Sequence, residues 1–452
     1  MSDLEGGHGD LPPSPRHSTS HPRQRGLLFG ICAALFIMSM FYRVSGAIIA
    51  PELSRDLSLG SRELGLVGGV FFYAFALVQI PLGLSLDRMG AKRTMIALNL
   101  VGVLGALLFS QASGLYVALV GRALLGIGMA SNLMGSLKLF TNWFDLRRFA
   151  TLSGTLLSLG TLGTLAATSP LALMVASLGW RNTFAALAAL HLVLILALAF
   201  LIRERPLPGS EVALGQPDTG SRKRSPASLK ALTTLFRSPT YWAISWSIFL
   251  RYGAFASIQA LWAGPFLMSS LGLRPVSAGN VLLMISVGFI VGAPVGGWVS
   301  DRLLKSRKKA IIPAMTGSAL AILIWSRWPE GAPVLLLGVL LFFNGFFNSF
   351  NVISYAHIRE LMPAHMAGTA MTGVNVFTMT GAGVFIHGLG RAIEHMESAA
   401  GPAGDTYRTA FLIASAAVAL SVLLYTFTRD MHPSHIKARS VRRAGDGADR
   451  DL

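Results

Sequence analysis

The chain has 452 residues, is 52% hydrophobic and only 13% charged, and has a mean hydropathy of +0.57. A soluble chain of this length carries about twice that charged fraction, so a soluble enzyme and a soluble binding module are both disfavoured. The single cysteine, Cys32, lies in an apolar stretch and rules out a disulfide framework or a thiolate metal site, and the net charge of +17 makes the placement of the basic residues the first question.

In chain order, twelve apolar stretches approach the ~20 residues that cross a bilayer. They run from Gly26 to Ile49, Leu64 to Leu84, Thr94 to Ser113, Leu115 to Ser136, Ala150 to Ser177 and Asn182 to Ile202. After a polar interval come Thr240 to Met268, Ser277 to Val299, Ala310 to Ser326, Pro333 to His357, Ala367 to Leu389 and Thr409 to Phe427. No signal-peptide cleavage pattern follows the first. Helical tails at 1–25 and 429–452 are not expected; their Gly, Pro, His, Ser and charge content reads as disorder. The interval 203–238, with Pro206, Pro208, Gly209, Pro217 and Arg222-Lys223-Arg224, reads as a linker between six-span halves at 26–202 and 239–428.

With both termini on one side, that side holds 28 basic residues and the other 7, while Arg43, Arg122 and Arg251 lie inside spans. This asymmetry assigns the termini and the linker to the cytoplasm, in an inner-membrane protein. It also removes the motive for nucleic-acid binding, because the charges follow topology rather than forming a groove.

The second and eighth spans end alike. Gly83, Asp87 and Arg88 align with Gly297, Asp301 and Arg302, and Gly90, Lys92 and Arg93 complete the first copy. A glycine one turn before an Asp-Arg pair lets another helix approach closely, and the carboxylate then meets a helix N-terminus or a neighbouring arginine. This G-x-x-x-D-R repeat resembles the loop signature of the major facilitator superfamily, and Gly121-Arg122 with Gly126 and Gly128 resembles its second signature. The resemblance implies an all-α fold of twelve transmembrane helices in two six-helix bundles related by a pseudo-twofold axis, with substrate between them. It also makes Asp87, Arg88, Asp301 and Arg302 a gating latch, with Arg122 as a possible partner.

Under that fold Arg43 and Arg251, in the first and seventh spans, face one cavity. An arginine near the bilayer centre costs ~2.5–3.5 kcal/mol, and no Asp or Glu lies inside any span to offset it. Two such guanidiniums form a candidate anion site, since their forks suit phosphate or carboxylate. The alternative has Arg43 snorkelling and Arg251 held by backbone carbonyls near Gly253.

Phe29-Gly30 through Tyr42-Arg43 to Pro51-Glu52-Leu53, and Leu250-Arg251-Tyr252-Gly253, resemble the organophosphate:phosphate antiporter family. That likeness implies exchange of an organophosphate clamped by Arg43 and Arg251, flanked by Tyr42 and Tyr252. The chain departs from the family pattern at Val44 and Gln79, where the family carries lysines, and has no histidine in the fifth span. Fewer cations favour a monoanion, so a carboxylate stays open.

Asn344, Asn348, Asn351 and Tyr355 follow a spacing that puts them on one helix face, and Asn348 and Asn351 join the candidate site with Gln79. His191 and His387 read as structural groups, Gly288, Gly292 and Gly296 as packing positions, and Cys32, Met38 and Met40 as core filling. The expected protein is thus a monomeric membrane transporter of a small anion, neither an enzyme nor a metal or cofactor protein. A proton-coupled carrier of a neutral or cationic compound, and a sugar-phosphate sensor of the same fold, are the other two readings.

Overall fold

The computed structural model describes residues 22–144, 146–204, 236–329, 331–362, 367–398 and 403–430. Most of the expected tails and linker therefore lies outside the described residues, although the first helix begins at Pro22, inside the expected N-terminal tail. Everything regular among those residues is helical, as the bilayer demands, because a lone helix satisfies its own backbone polar groups. Among the described residues, ten segments are long and apolar enough to cross a membrane. The fifth and seventh predicted spans are also helical, over Leu146–Ala166 and Pro239–Ser257, although neither meets that measure. In the fifth, the hydroxyls of Ser153, Thr155 and Ser158 donate to carbonyls four residues back, so the helix satisfies its own polar content.

Several spans are interrupted where the sequence removes a backbone donor or supplies a flexible residue. The first runs Pro22–Val44, pauses at Ser45 and resumes over Gly46–Leu57, which contains Pro51. The fifth breaks before Pro170, and a turn at Gly179 (φ 73°) leads into the sixth. The seventh widens into π-helical turns at Ile258–Trp262 and Phe266–Ser270 on either side of Pro265. Such widening accommodates a helix that has lost a regular hydrogen bond. The eighth, Pro275–Trp298, ends in a third π turn over Val299–Leu303 that carries Asp301 and Arg302. The tenth divides at Phe350 into Val334–Ser349 and Asn351–Leu361.

Packing reproduces the internal repeat. The first span packs on the fifth and sixth, the second on the fourth, and the third on the fourth and sixth. Correspondingly, the seventh packs on the eleventh and twelfth, the eighth on the tenth, and the ninth on the tenth and twelfth. Shifting every span by six maps one set onto the other. The halves meet through the second against the eleventh and the fifth against the eighth, which is the relation a pseudo-twofold axis requires. As read from the sequence, Gly292 faces the tenth span: an added Cβ there would lie 2.5 Å from the Phe346 carbonyl oxygen.

Among the described residues, the two side-chain hydrogen bonds between halves both lie toward the face opposite the chain ends. Ser61 Oγ donates to Glu397 at 3.1 Å, and Ser169 Oγ to Asn280 Oδ1 at 2.5 Å. Trp262 Nε1 donates to the Ile386 carbonyl at 2.9 Å and backs the same seam. This is a conformation closed on that face.

Candidate functional site

Arg43 sits at the end of the first helical segment, half-buried, with its guanidinium carbon 5.1 Å from the centre of the Phe75 ring on the second span. A ring face is a weak substitute for an anion, and the buried Arg43 Nε has no protein partner. Gln79, also buried, follows Phe75 by one turn and so shares its face of the helix.

Arg251 is 2% exposed. Its Nη2 donates to Asn351 Oδ1 and to Ser354 Oγ, the latter at 3.0 Å, and its Nε is buried without a partner. Neutral acceptors therefore hold the guanidinium from one side while its charge stays uncompensated. Tyr355 is near both arginines. Its hydroxyl contacts Thr378 Oγ1 at 3.0 Å and donates to Asn375 Oδ1 at 3.3 Å, and it is close enough to interact electrostatically with Tyr252, Arg43 and Arg251. Tyr252 is half-buried beside Phe255. One small cavity lies between Val44, Thr164, Thr168, Gln259 and Ser286 of the first, fifth, seventh and eighth spans, and neither arginine lines it. The Ser286 hydroxyl there is buried without a partner.

Other predicted members of the site lie elsewhere. Tyr42 is fully buried inside the N-terminal half, its ring against Phe184 and His191, because neighbouring residues on a helix point about 100° apart. The single polar face expected for the tenth span is split. Asn348 donates to Ser318 Oγ at 2.7 Å on the ninth span, and Asn344 donates to the same oxygen at 3.4 Å, whereas Asn351 meets Arg251. The helix is interrupted at Phe350, between Asn348 and Asn351, which a continuous helical spacing does not anticipate. His191 is tied to Asn99 Oδ1 at 2.9 Å, Asn99 donates to Asn132, and Asn132 donates to the Leu35 carbonyl. That network fits the structural reading of His191.

At the loop signature, each acidic residue pairs inside its own half. Asp87 meets Lys138 of the fourth span, and Asp301 meets Arg307, which also holds Glu360 at 2.7 Å. Arg88, Arg93 and Arg302 are exposed. Arg122, expected as a possible latch partner, is instead buried in the membrane portion. Its Nη1 donates to the Tyr42 carbonyl at 3.1 Å, and it lies over Phe71 and Phe109. It occupies the first turns of the fourth span, at the opposite end of that helix from Lys138.

A carboxylate does cap a helix N-terminus here, but it is Glu204. It accepts from the backbone of Ala91 at 2.8 Å and Lys92 at 2.7 Å, just after Gly90 (φ 86°), while Lys92 Nζ donates to the Ala199 carbonyl. In the other half Asp430 accepts from Ser306 Oγ at 2.6 Å, and Lys308 Nζ donates to the Thr426 and Thr428 carbonyls. Glu204 and Asp430 each follow the last span of their half. Their place after corresponding spans is the sequence signal that marks them.

A family model described as Major Facilitator Superfamily matches residues 31–386 and 244–445. "Probable sulfoacetate transporter SauU" of Cupriavidus necator is 27% identical over 71% of this chain and 77% of its own length. "Probable L-galactonate transporter" of Escherichia coli K12 is 28% identical over 68% of this chain and 70% of its own. A crystal structure of a D-xylose-proton symporter superposes with a TM-score of 0.71 at 14% identity, covering 90% of this chain and 98% of that one. At that identity the likeness speaks for the fold.

Proposed function

Because the chain belongs to the major facilitator superfamily of membrane transporters, we propose that it carries a small organic anion, a carboxylate bound between Arg43 and Arg251, by alternating access. The observation that carries this reading is the pair itself: one arginine from each half, no acidic partner among the described residues, a buried and unpartnered Nε on each, and Tyr355 close enough to interact with both. An anion reached by both halves couples their rearrangement to its own binding. The names of the two relatives, one for sulfoacetate and one for galactonate, support a carboxylate over an organophosphate. Val44 and Gln79 leave fewer cations in the site, which favours a singly charged carboxylate such as galactonate over the doubly charged sulfoacetate or an organophosphate.

The test is thermal stabilisation of purified protein by sulfoacetate, galactonate, a sugar phosphate and a neutral sugar, since a ligand of the folded state raises its melting temperature. A carboxylate should stabilise and the neutral sugar should not. Losing one charge-assisted pair from a desolvated site costs ~2–5 kcal/mol, roughly 30-fold to several thousand-fold in affinity. Arg43→Gln and Arg251→Gln should therefore nearly abolish binding, with Arg→Lys variants intermediate because lysine keeps charge but loses the fork. Full binding by Arg251→Gln refutes the site.

We further propose exchange as the mode of transport, which preloaded proteoliposomes test: internal anion should accelerate uptake. Binding without any uptake would instead favour a sensor. The basic-residue asymmetry supports cytoplasmic termini and linker in an inner membrane. Labelling of either terminus from outside intact cells would overturn that orientation. Asp87, Arg88, Asp301 and Arg302 are proposed to act as the latch of the terminus-bearing face, engaging across the halves in the opposite state from this one.

A further inference from the structure

Arg251 is the start of a chain of hydrogen bonds that the anion site does not use. Its Nη2 donates to Ser354 Oγ at 3.0 Å. Ser354 lies near enough to the Tyr425 hydroxyl on the twelfth span to serve as its next hydrogen-bond partner. Tyr425 Oη is 2.6 Å from His357 Nδ1, and His357 Nε2 is 2.9 Å from the Arg429 carbonyl. Ser354, His357 and Tyr425 are all fully buried.

The donors and acceptors fix the direction of this chain. The Arg429 carbonyl only accepts, so His357 Nε2 carries the proton and Nδ1 of a neutral ring is an acceptor. Tyr425 therefore donates to His357, which leaves its oxygen to accept from Ser354, whose oxygen accepts from Arg251. Every group is satisfied in one direction, from the guanidinium to the end of the twelfth span. Such a relay fixes where Nη2 points and thereby where the free Nε edge of Arg251 faces.

We propose that Tyr425 and His357 are positioning residues for Arg251: through Ser354 they hold its guanidinium in the orientation that receives the anion, and they do so only while His357 is neutral. This rests on the anion-site reading of Arg251. Protonation at Nδ1 would turn the histidine from acceptor to donor, and Tyr425 would have to reverse its hydroxyl toward Ser354. The charged groups facing His357 are Glu360 on its own helix, Arg307 at the start of the ninth span and Asp430 past the end of the twelfth. They join the relay to the latch region, since Arg307 also holds Asp301.

The experiment measures affinity for galactonate and sulfoacetate by thermal stabilisation of the full-length protein between pH 5.5 and 8, a range in which both probes stay ionised. Tyr425→Phe and His357→Leu should each weaken binding about 3- to 10-fold, the worth of one uncharged buried hydrogen bond. His357→Gln keeps one donor and one acceptor but cannot be protonated. It should bind like the wild type at pH 8 and lack the acid-side loss of affinity expected of the wild type. Wild-type affinity in Tyr425→Phe, or a wild-type acid-side decline in His357→Gln, overturns the proposal; should Tyr425→Phe not fold, the two histidine variants decide. Arg251→Gln serves as the separate control. If it binds fully, or if neither probe stabilises the wild type, the anion-site reading fails and takes this inference with it. If it loses binding while Tyr425→Phe does not, only the positioning role fails.

Discussion

Replacing Gly65 by alanine tests whether the seam opposite the chain ends is a gate. Gly65 lies on the second span, in the N-terminal half, and a Cβ added there would stand 2.9 Å from the Ile386 carbonyl oxygen, 3.2 Å from Gly390 Cα and 3.2 Å from Trp262 Cζ2. All three belong to the other half. Two are backbone, and the indole is itself tied to the Ile386 carbonyl by a 2.9 Å hydrogen bond. Ordinary contact begins near 3.4 Å, so the methyl group fits only if the halves part at this point. Overpacking of this kind costs roughly 1–3 kcal/mol. The helix-propensity gain of Gly→Ala is of order 0.5–1 kcal/mol, but it acts in every conformation and cancels from their ratio. The alanine should therefore shift the balance toward the state open on this face by about 5- to 150-fold. The assay is thiol labelling in a Cys32→Ser background with Gln259→Cys, a residue that lines the small cavity beneath the seam. A membrane-impermeant reagent applied to the face opposite the termini should react faster with the Gly65→Ala protein by a factor in that range. Unchanged labelling of a folded Gly65→Ala protein would refute the gate.

Asp87→Asn should slow transport while leaving anion affinity within a few-fold, and an unchanged turnover in proteoliposomes would count against the latch. Glu204→Gln weakens the charge at the start of the third span and should lower the melting temperature, by an effect of about 1–2 kcal/mol for a partly buried group at a helix N-terminus; calorimetry of the ligand-free protein measures it. Asp56, at the end of the first span, is held below its ordinary carboxylate range by the Trp180 indole N–H and then by Arg181. A depressed pKa contributes stability that is present above the unfolded value near 3.8 and is lost as pH falls through the lower folded value. Asp56→Asn should remove that part of the acid sensitivity, as read from melting temperatures between pH 3 and 6.

Hydrophobic length, the bias of basic residues and the Gly-Asp-Arg repeat are local properties, and they sufficed for the membrane class, the span order and the family. Each depends only on neighbours along one helix or on its flanks, so a bilayer reads them as directly as a sequence does. Arg43 and Arg251 stood out for the same reason, because a charge in an apolar stretch is conspicuous before any packing is known. What each polar group touches was decided by tertiary structure. Asp87 found Lys138, Arg122 turned to the Tyr42 carbonyl, and Glu204 reached the start of a helix 113 residues before it. The polar row of the tenth span was divided by one interrupted turn at Phe350, so that Asn348 faces Ser318 while Asn351 faces Arg251. Hydrogen bonds act over about 3 Å, and which groups come that close depends on how twelve helices cross and where each one bends. No spacing along a single helix contains that information.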